Sequence, residues 1–312
     1  MLVKNLTMPE LPDITVYIEA LQDRLLNQPL QKIRIASPFI LRSFDPPIQA
    51  AEGKKVIGFD RIGKRIVFEL EDELFMIFHL MIAGRFHWKK RGAPVPRKFG
   101  HAAFDFPPGT LLLTEMGTKK RASLHLIRGR EGLAEHDPGG LEIFGADLNA
   151  FRAALTDENH TLKRTMTDPH VFSGIGNAYS DEILHRAGLS PIKQTQHLSE
   201  VEIERLYRAT KEVLREWIKR LRKDTGKNFP ERVTAFRDDM AVHGKYRKPC
   251  PVCGSPVQRI AYAENETNYC AQCQTGGRLL ADRSLSRLLK ADWPKTLEEM
   301  EEGRKARTES LD

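Results

Sequence analysis

"CPVCGSPVQRIAYAENETNYCAQC" (residues 250–273) holds all four cysteines of a 312-residue chain, spaced Cys-x2-Cys-x16-Cys-x2-Cys. Each Cys-x-x-Cys turn presents two sulfurs on one side of a chain reversal. Two such turns can close a tetrahedron around one metal at about 2.3 Å per sulfur. Disulfides belong to oxidising compartments, and residues 1–8 lack the positive-then-apolar layout of a secretory leader. The stretch therefore reads as a zinc ribbon ligated by Cys250, Cys253, Cys270 and Cys273. Four thiolates leave no place for water, so the single expected zinc ion is structural. Its binding, about 10–16 kcal/mol, can fold a hairpin too small to bury a core of its own.

Working back from the ribbon, the spacing of Ile203, Leu206, Leu214, Trp217, Ile218 and Leu221 predicts a helix over 199–223, opened by a Ser199/Glu202 capping box. Shorter helices are predicted over 147–156, 161–168 and 177–187. The last lies in "FSGIGNAYSDEILHRAGLSP" (172–191), where a Gly174-x-Gly176 turn precedes a helix start at Asn177, and Gly188, Ser190 and Pro191 end it. Converging backbone N–H groups and a helix N-terminus suit a phosphate there. By spacing alone, a plain glycine turn capped by Asn177 is the better reading.

Upstream of "EHDPGGLE" (135–142) the pattern changes to short apolar or alternating runs between Gly, Pro and charged turns. They are "QKIRIA", "KKVIGFDRI", "KRIVFELED", "LFMIFHLMIAGRFHW", "HAAFDF", "TLLLTEM" and "ASLHLI", as expected of an antiparallel sandwich or barrel. Ile14, Tyr17, Ile18, Leu21 and Leu25 predict a leading helix over 14–28, entered after Pro12 and Asp13. Residues 276–312 read as a charged, partly disordered tail with one amphipathic helix at 280–292. The expected class is α+β and multidomain. It comprises a β-sandwich with a leading helix (8–136), a helical domain (145–240), a zinc hairpin (243–275) and the tail.

Hydrophobic content of 40% and charged content of 29% suit a globular chain. No apolar run reaches the roughly 20 residues of a membrane helix, so the cytoplasm is the expected location. Forty-nine Lys and Arg against 42 Asp and Glu leave a formal charge of +7, which favours a polyanionic partner.

Four motifs, in order, resemble the formamidopyrimidine-DNA glycosylase and endonuclease VIII family of base-excision repair enzymes. "MPELPD" (8–13) resembles its N-terminal signature. "RIGKRIVFEL" and "FHLMIAGRF" resemble two core strands, and "GIGNAYSDEILHRAGLSP" resembles the helix–two-turn–helix motif. "VHGKYRKPCPVCG" with "YCAQCQ" resembles the terminal zinc finger. The resemblance implies a monomer acting on damaged double-stranded DNA as a bifunctional glycosylase and abasic-site lyase. Pro9 would be the amine nucleophile at the sugar C1′, with Glu10 protonating the ring oxygen or shuttling protons. Lys64, His79 and Asn177 would clamp the phosphates beside an extruded nucleotide. Gly174 and Gly176 would help to form that DNA contact, and the loop carrying Lys119, Lys120 and Arg121 would line it.

A secondary amine exists at Pro9 only if the chain starts there. The resemblance thus implies that Met8 is the start and is removed, since within a longer chain Pro9 is an amide. Several positions depart from the family. Asp13 stands for a usual glutamate, and Asn265 for a finger arginine, with Arg259 or Arg278 as possible replacements. Ile82 stands for an intercalating methionine, and "TEMGTKKRAS" has no aromatic. "FPERVTAFRDD" (229–239) is shorter than the lesion-gripping loop of the oxidised-purine enzymes. Two alternatives stay open: a damaged-DNA-binding relative without base excision, and an RNA- or ribosome-associated basic zinc protein.

Overall fold

Two four-stranded antiparallel sheets account for residues 32–128. One has the order β1 (Lys32–Ile35), β6 (Gly100–Phe106), β7 (Gly109–Glu115), β5 (Gly84–Lys89). The other runs β2 (Val56–Ile62), β3 (Arg65–Leu70), β4 (Leu74–His79), β8 (Ser123–Arg128). The structure is a computed structural model and describes residues 8–117, 119–231, 233–234, 237–262, 265–281, 294–300 and 302.

Strand side chains alternate between faces. Ile66, Phe68, Leu70, Met76, Phe78, Leu124 and Leu126 of one sheet share a buried core with Phe86, Ala102, Phe104, Leu111 and Leu113 of the other. Within it Phe78 meets Phe86 and Phe104 nearly edge-on, with ring centroids at 5.1 and 5.3 Å. Helix α1 (Leu11–Leu25) adds Ile14, Tyr17, Leu21 and Leu25 to the same core.

Two boundaries differ from the sequence expectation. Helix α1 begins at Leu11, three residues before the predicted start, with Pro12 inside its first turn. Backbone N–H groups there have no intrahelical acceptor, so proline costs nothing, and Glu10 and Asp13 form a reciprocal capping box. The apolar run 74–88 is two strands, β4 and β5, which the turn at 80–83 sends into different sheets. That turn is closed by the Gly84 N–H on the Leu80 carbonyl at 2.8 Å. A Cβ on Gly84 would lie 2.2 Å from the same oxygen, so only glycine fits.

The chain divides into two compact units, Met1–Gly140 with Leu214–Phe236 and Leu141–Val213 with Arg237–Asp312. In the second unit the helices fall where periodicity puts them: α2 (Leu148–Thr156), α3 (Leu162–Thr167), α4 (Asn177–Ala187) and α5 (Glu200–Thr225). The unit boundary falls inside α5. The Ser199/Glu202 capping box is present, with the Ser199 N–H 2.8 Å from Glu202 Oε2 and the Glu202 N–H 3.4 Å from Ser199 Oγ. Gly188 ends α4 at φ 62°, the left-handed conformation a helix C-terminus favours. The cysteine stretch forms a hairpin of β9 (Gln258–Tyr262) and β10 (Asn265–Tyr269), followed by α6 (Ala271–Thr275).

The helix predicted at 280–292 lies almost wholly outside the described residues. Beyond it, the chain returns to the finger. The Leu279 N–H donates to the Lys295 carbonyl at 2.8 Å, and Leu297 and Met300 pack on Ile260, Tyr269, Leu279 and Leu280. Among the described residues no helix is long and apolar enough to cross a membrane.

Gly84→Ala is expected to lower unfolding free energy by more than about 2 kcal/mol, because the new methyl meets backbone rather than a movable side chain. Urea denaturation checks this; a change below about 0.5 kcal/mol would contradict the turn geometry.

Candidate active site and nucleic-acid interface

Pro9 is buried and Glu10 is only 2% exposed at the N-terminus of α1. The Glu10 N–H donates to Asp13 Oδ2 at 3.1 Å, and the Glu10 carboxylate accepts the Asp13 N–H in return. Two carboxyl groups thus sit at the positive end of the helix dipole, held in place by the first turn. Asp13, the shorter residue in place of the family's glutamate, is long enough to close this box.

Lys64 lies in the two-residue turn between β2 and β3, made possible by Gly63 at φ 58°. His79 ends β4 directly opposite Arg65 in the ladder. Burial, and then the positive charges of Arg65 and Lys64, push the His79 imidazolium down to a pKa of about 4. His79 is therefore neutral at pH 7 and faces two cations. That combination offers an N–H donor and two charges to an anion without carrying a third charge of its own.

A second loop leaves the end of β7. The buried Glu115 carboxylate accepts the N–H groups of Arg121 and Ala122 at 2.8 and 3.2 Å, with His101 Nε2 2.9 Å away on its other oxygen. Lys120 Nζ donates to the Glu115 carbonyl. This anchoring fixes the backbone of the loop, on which Lys119, Lys120 and Arg121 are exposed. The same loop holds a residue that the sequence reading passed over. Met116 is 44% exposed, and its N–H lies 3.4 Å from the Ala83 carbonyl, which sets it beside the turn carrying Ile82, itself 40% exposed. The only available signal was a methionine next to Gly117. Met81 takes a φ of 52° in the Ile82 turn, a conformation disfavoured for a side-chain-bearing residue.

In the second unit Gly174 turns the chain at φ 78° and Gly176 caps α4. Asn177, the first residue of α4, donates through Nδ2 to the Glu266 carbonyl of the finger at 2.9 Å. Its own carbonyl accepts Lys163 Nζ at 2.7 Å. Next in α4 are two buried carboxylates. Asp181 receives Lys163 Nζ at 2.5 Å, His243 Nδ1 at 2.8 Å and the Asn268 N–H at 3.1 Å. Glu182 accepts the N–H groups of Ala241, Val242 and His243 at 2.8–2.9 Å. Pro9, Glu10, Lys64, His79 and the Lys119–Arg121 loop thus belong to the first unit, and Gly174, Gly176 and Asn177 to the second.

The sulfurs of Cys250, Cys253, Cys270 and Cys273 all lie within 4.8 Å of one another. Cys250–Cys273 is 3.9 Å and Cys253–Cys270 is 3.4 Å. A tetrahedron with bonds of about 2.3 Å needs sulfurs about 3.8 Å apart, so the group fits one zinc ion and is far too open for disulfides. The zinc is structural. Of the arginines considered for the finger, Arg259 stacks over Tyr246 at 4.4 Å and pairs with Glu266 at 3.2 Å. The Asn265 side chain lies outside the described residues, as do Arg232, Ala235 and Phe236 of the 229–239 loop.

The first unit thus carries a buried carboxylate pair at its first helix and an exposed cationic loop, and the second a helix pair joined to a four-cysteine finger. This is the class of fold expected of a glycosylase of the resembled family. Comparison with known proteins agrees. The Formamidopyrimidine-DNA glycosylase N-terminal domain matches residues 8–119, its H2TH domain matches 142–228, and the zinc finger found in FPG and IleRS matches 247–276. The Formamidopyrimidine-DNA glycosylase of Thermus thermophilus is 31% identical over 283 residues, covering 86% of this chain and all of that one. An uncharacterized formamidopyrimidine-DNA glycosylase-like protein of Mycobacterium tuberculosis is 39% identical over 153 residues, 49% of this chain and 93% of that one. The Lactococcus lactis Fpg, solved with DNA containing an abasic site, superposes with a TM-score of 0.76 at 27% identity, over 85% of this chain and 99% of that one. The chain belongs to the formamidopyrimidine-DNA glycosylase family.

His79 gives a pH test. Its folded pKa, about 4, lies below the ordinary 6.5, so the unfolded chain binds the extra proton between those values. The stability it supports is complete above pH 6.5 and is lost as the pH falls towards 4, by roughly 2–3 kcal/mol. His79→Gln is expected to flatten the melting-temperature profile between pH 6.5 and 4; an unchanged slope would contradict the buried neutral imidazole. Cys270→Ser is expected to release zinc and expose the finger to protease. Retention of one zinc per chain, measured by atomic emission, would contradict the tetrahedral set.

Proposed function

We propose that this chain is a bifunctional DNA glycosylase and abasic-site lyase whose nucleophile is the secondary amine of Pro9, exposed when synthesis begins at Met8 and that methionine is removed. The supporting observation is the buried Pro9–Glu10 pair at the head of α1, together with a family match that begins at residue 8. The amine attacks C1′ of the damaged nucleotide, the glycosidic C–N bond breaks, and the base leaves with a proton. The attached nitrogen then loses its one N–H proton. The C1′–O4′ bond opens with its electron pair and a proton going to O4′, and the nitrogen lone pair forms the iminium. The iminium keeps a positive charge because a secondary amine has no further proton to lose. That charge acidifies the C2′ proton. Its removal expels the 3′ phosphate, and a second elimination expels the 5′ phosphate. Glu10, 2% exposed, serves as the proton donor to the ring oxygen and as the later proton carrier.

Around this chemistry Lys64 and His79 hold the phosphates beside the lesion from the first unit, and Asn177 with the Gly174–Gly176 turn does so from the second. Ile82 and Met116 together fill the gap left by the extruded nucleotide, in place of an aromatic wedge. Lys119, Lys120 and Arg121 grip the strand next to them. Arg259, stiffened by Tyr246, takes over for the missing finger arginine.

Borohydride reduction with an abasic duplex tests the reading. Protein begun at Met8 is expected to give a covalent adduct that Pro9→Gly reduces at least tenfold. DNA affinity without any adduct would instead make the chain a damaged-DNA binder that lacks base excision. Met116→Ala combined with Ile82→Ala is expected to weaken affinity for an abasic duplex about tenfold while leaving undamaged duplex within twofold. Equal losses on both duplexes, measured by anisotropy, would contradict the wedge.

A further inference from the structure

The outer face of the β2-β3-β4-β8 sheet has two halves. On β4, Phe75, Ile77 and His79 share this face, and the ladder sets Arg65 and Val67 of β3 and Ser123, His125 and Ile127 of β8 beside them. The apolar half, Val67, Phe75 and Ile77 with Ile62 and Ile127, is covered by Leu133 from the 3-10 segment Arg130–His136. The other half is polar. Arg65 and His125 stand there, and His136 closes over His125 with ring centroids 4.6 Å apart. Segment 41–43 runs along the free edge of β8: the Arg42 N–H donates to the Leu124 carbonyl at 2.9 Å, and Ser43 Oγ accepts the Leu126 N–H at 2.7 Å. This brings Arg42 to the same end.

These groups repel one another. Beyond burial, the His125 imidazolium is disfavoured by His136, Arg65 and Arg42, and the His136 imidazolium by Arg65. Asp137 acts on Arg65 and Glu135 on His136 in the opposite sense. With both histidines shifted downward, the two imidazoles are uncharged at neutral pH, and an approaching anion meets the Arg42 and Arg65 guanidiniums beside two ring N–H donors. Two large apolar side chains flank Arg42, with Asp45 next to the second. Phe39 is 77% exposed and Phe44 is 86% exposed. Phenylalanines this open, interleaved with cations, form the platform on which unpaired bases stack.

We propose that Arg42, Arg65, His125 and His136 form a second DNA contact that holds one backbone phosphate, while Phe39 and Phe44 stack on an unpaired base of the same strand. The proposal rests on the DNA-binding reading but not on the Pro9 chemistry. Base-excision intermediates supply such strands, because removing a base and nicking the backbone leaves an unstacked end. The site continues the clamp of Lys64 and His79 along the same sheet face, since Arg65 stands opposite His79 in the ladder.

The experiment uses the full chain and anisotropy with two probes, an abasic-analogue duplex and a single-stranded oligothymidine, between roughly 50 and 200 mM salt. Arg42→Ala with His125→Ala is expected to weaken duplex binding about tenfold and to reduce the log–log salt slope by roughly 0.9, one phosphate's worth. Phe39→Ser with Phe44→Ser is expected to weaken oligothymidine binding about tenfold and leave the slope unchanged. Arg42→Glu, at an exposed position, carries the same test if the first double variant fails to fold, with a larger loss expected. Both double variants within twofold of the unaltered chain, while Lys64→Ala still weakens binding, would overturn the second contact and leave the DNA-binding reading standing. Failure of the unaltered chain to bind duplex would overturn both. Should Phe39→Ser with Phe44→Ser instead convert a sedimenting dimer to monomer at unchanged DNA affinity, the phenylalanines are a contact between copies and the proposal fails.

Discussion

The second unit depends on two adjacent carboxylates without water around them. Asp181 and Glu182 are 1% and 6% exposed, and a charge buried to that degree persists only when its lone pairs are filled. Six polar hydrogens do so: Lys163, His243 and the Asn268 amide at Asp181, and three successive amides, 241–243, at Glu182. Burial raises the Glu182 pKa, and the three amides pull it back towards the ionised form. The donors come from α3, from the bend at 241–243 before the finger, and from β10. One pair of side chains on α4 therefore sets the finger's position against the helix whose first residue is Asn177. Removing either carboxylate would strand its donors, at a cost of about 3–5 kcal/mol. The Asn177 amide on the Glu266 carbonyl adds to that link between the helix start and the hairpin.

The first unit reaches the same end with turns and strand register. Gly63, Gly84 and the capping box of α1 each occupy a position where the backbone reverses within two or three residues. Lys64, Ile82 and Glu10 stand at these positions. Cross-strand pairing then decides the neighbours, so Arg65 faces His79 because of the ladder and needs no direct bond to do so. The cationic end of the sheet follows from this register, and so does the neutral state of the histidines between the arginines. A neutral imidazole that gains a proton as a phosphate approaches meets the anion without first opposing its own neighbours.

Much of this was legible in the sequence. Sulfur spacing foretold the metal site, because a tetrahedron constrains four positions at once. Helical periodicity located α2 to α5 within a few residues. Pro12 misled the reading of α1, since proline stops a helix interior but suits a first turn. The 74–88 run hid a turn because Gly84 is its only breaker and the sheet change needs no polar loop. Met116 was missed because solvent exposure of an apolar side chain depends on the Glu115 anchor, which is a tertiary feature. The α6 turn of five residues is too short to show a period. The convergence of Arg42, His125 and His136 comes from segments more than 80 residues apart in part, and no local pattern announces it.

The account turns on which nitrogen joins the sugar. Peptide mapping by mass spectrometry of the borohydride-reduced adduct, made with native protein and an abasic duplex, tests this directly. The account predicts a deoxyribose remnant on a peptide whose first residue is Pro9, followed by Glu10 and Leu11. A remnant on a lysine, or native protein that retains residues 1–8 and still forms the adduct, would contradict it.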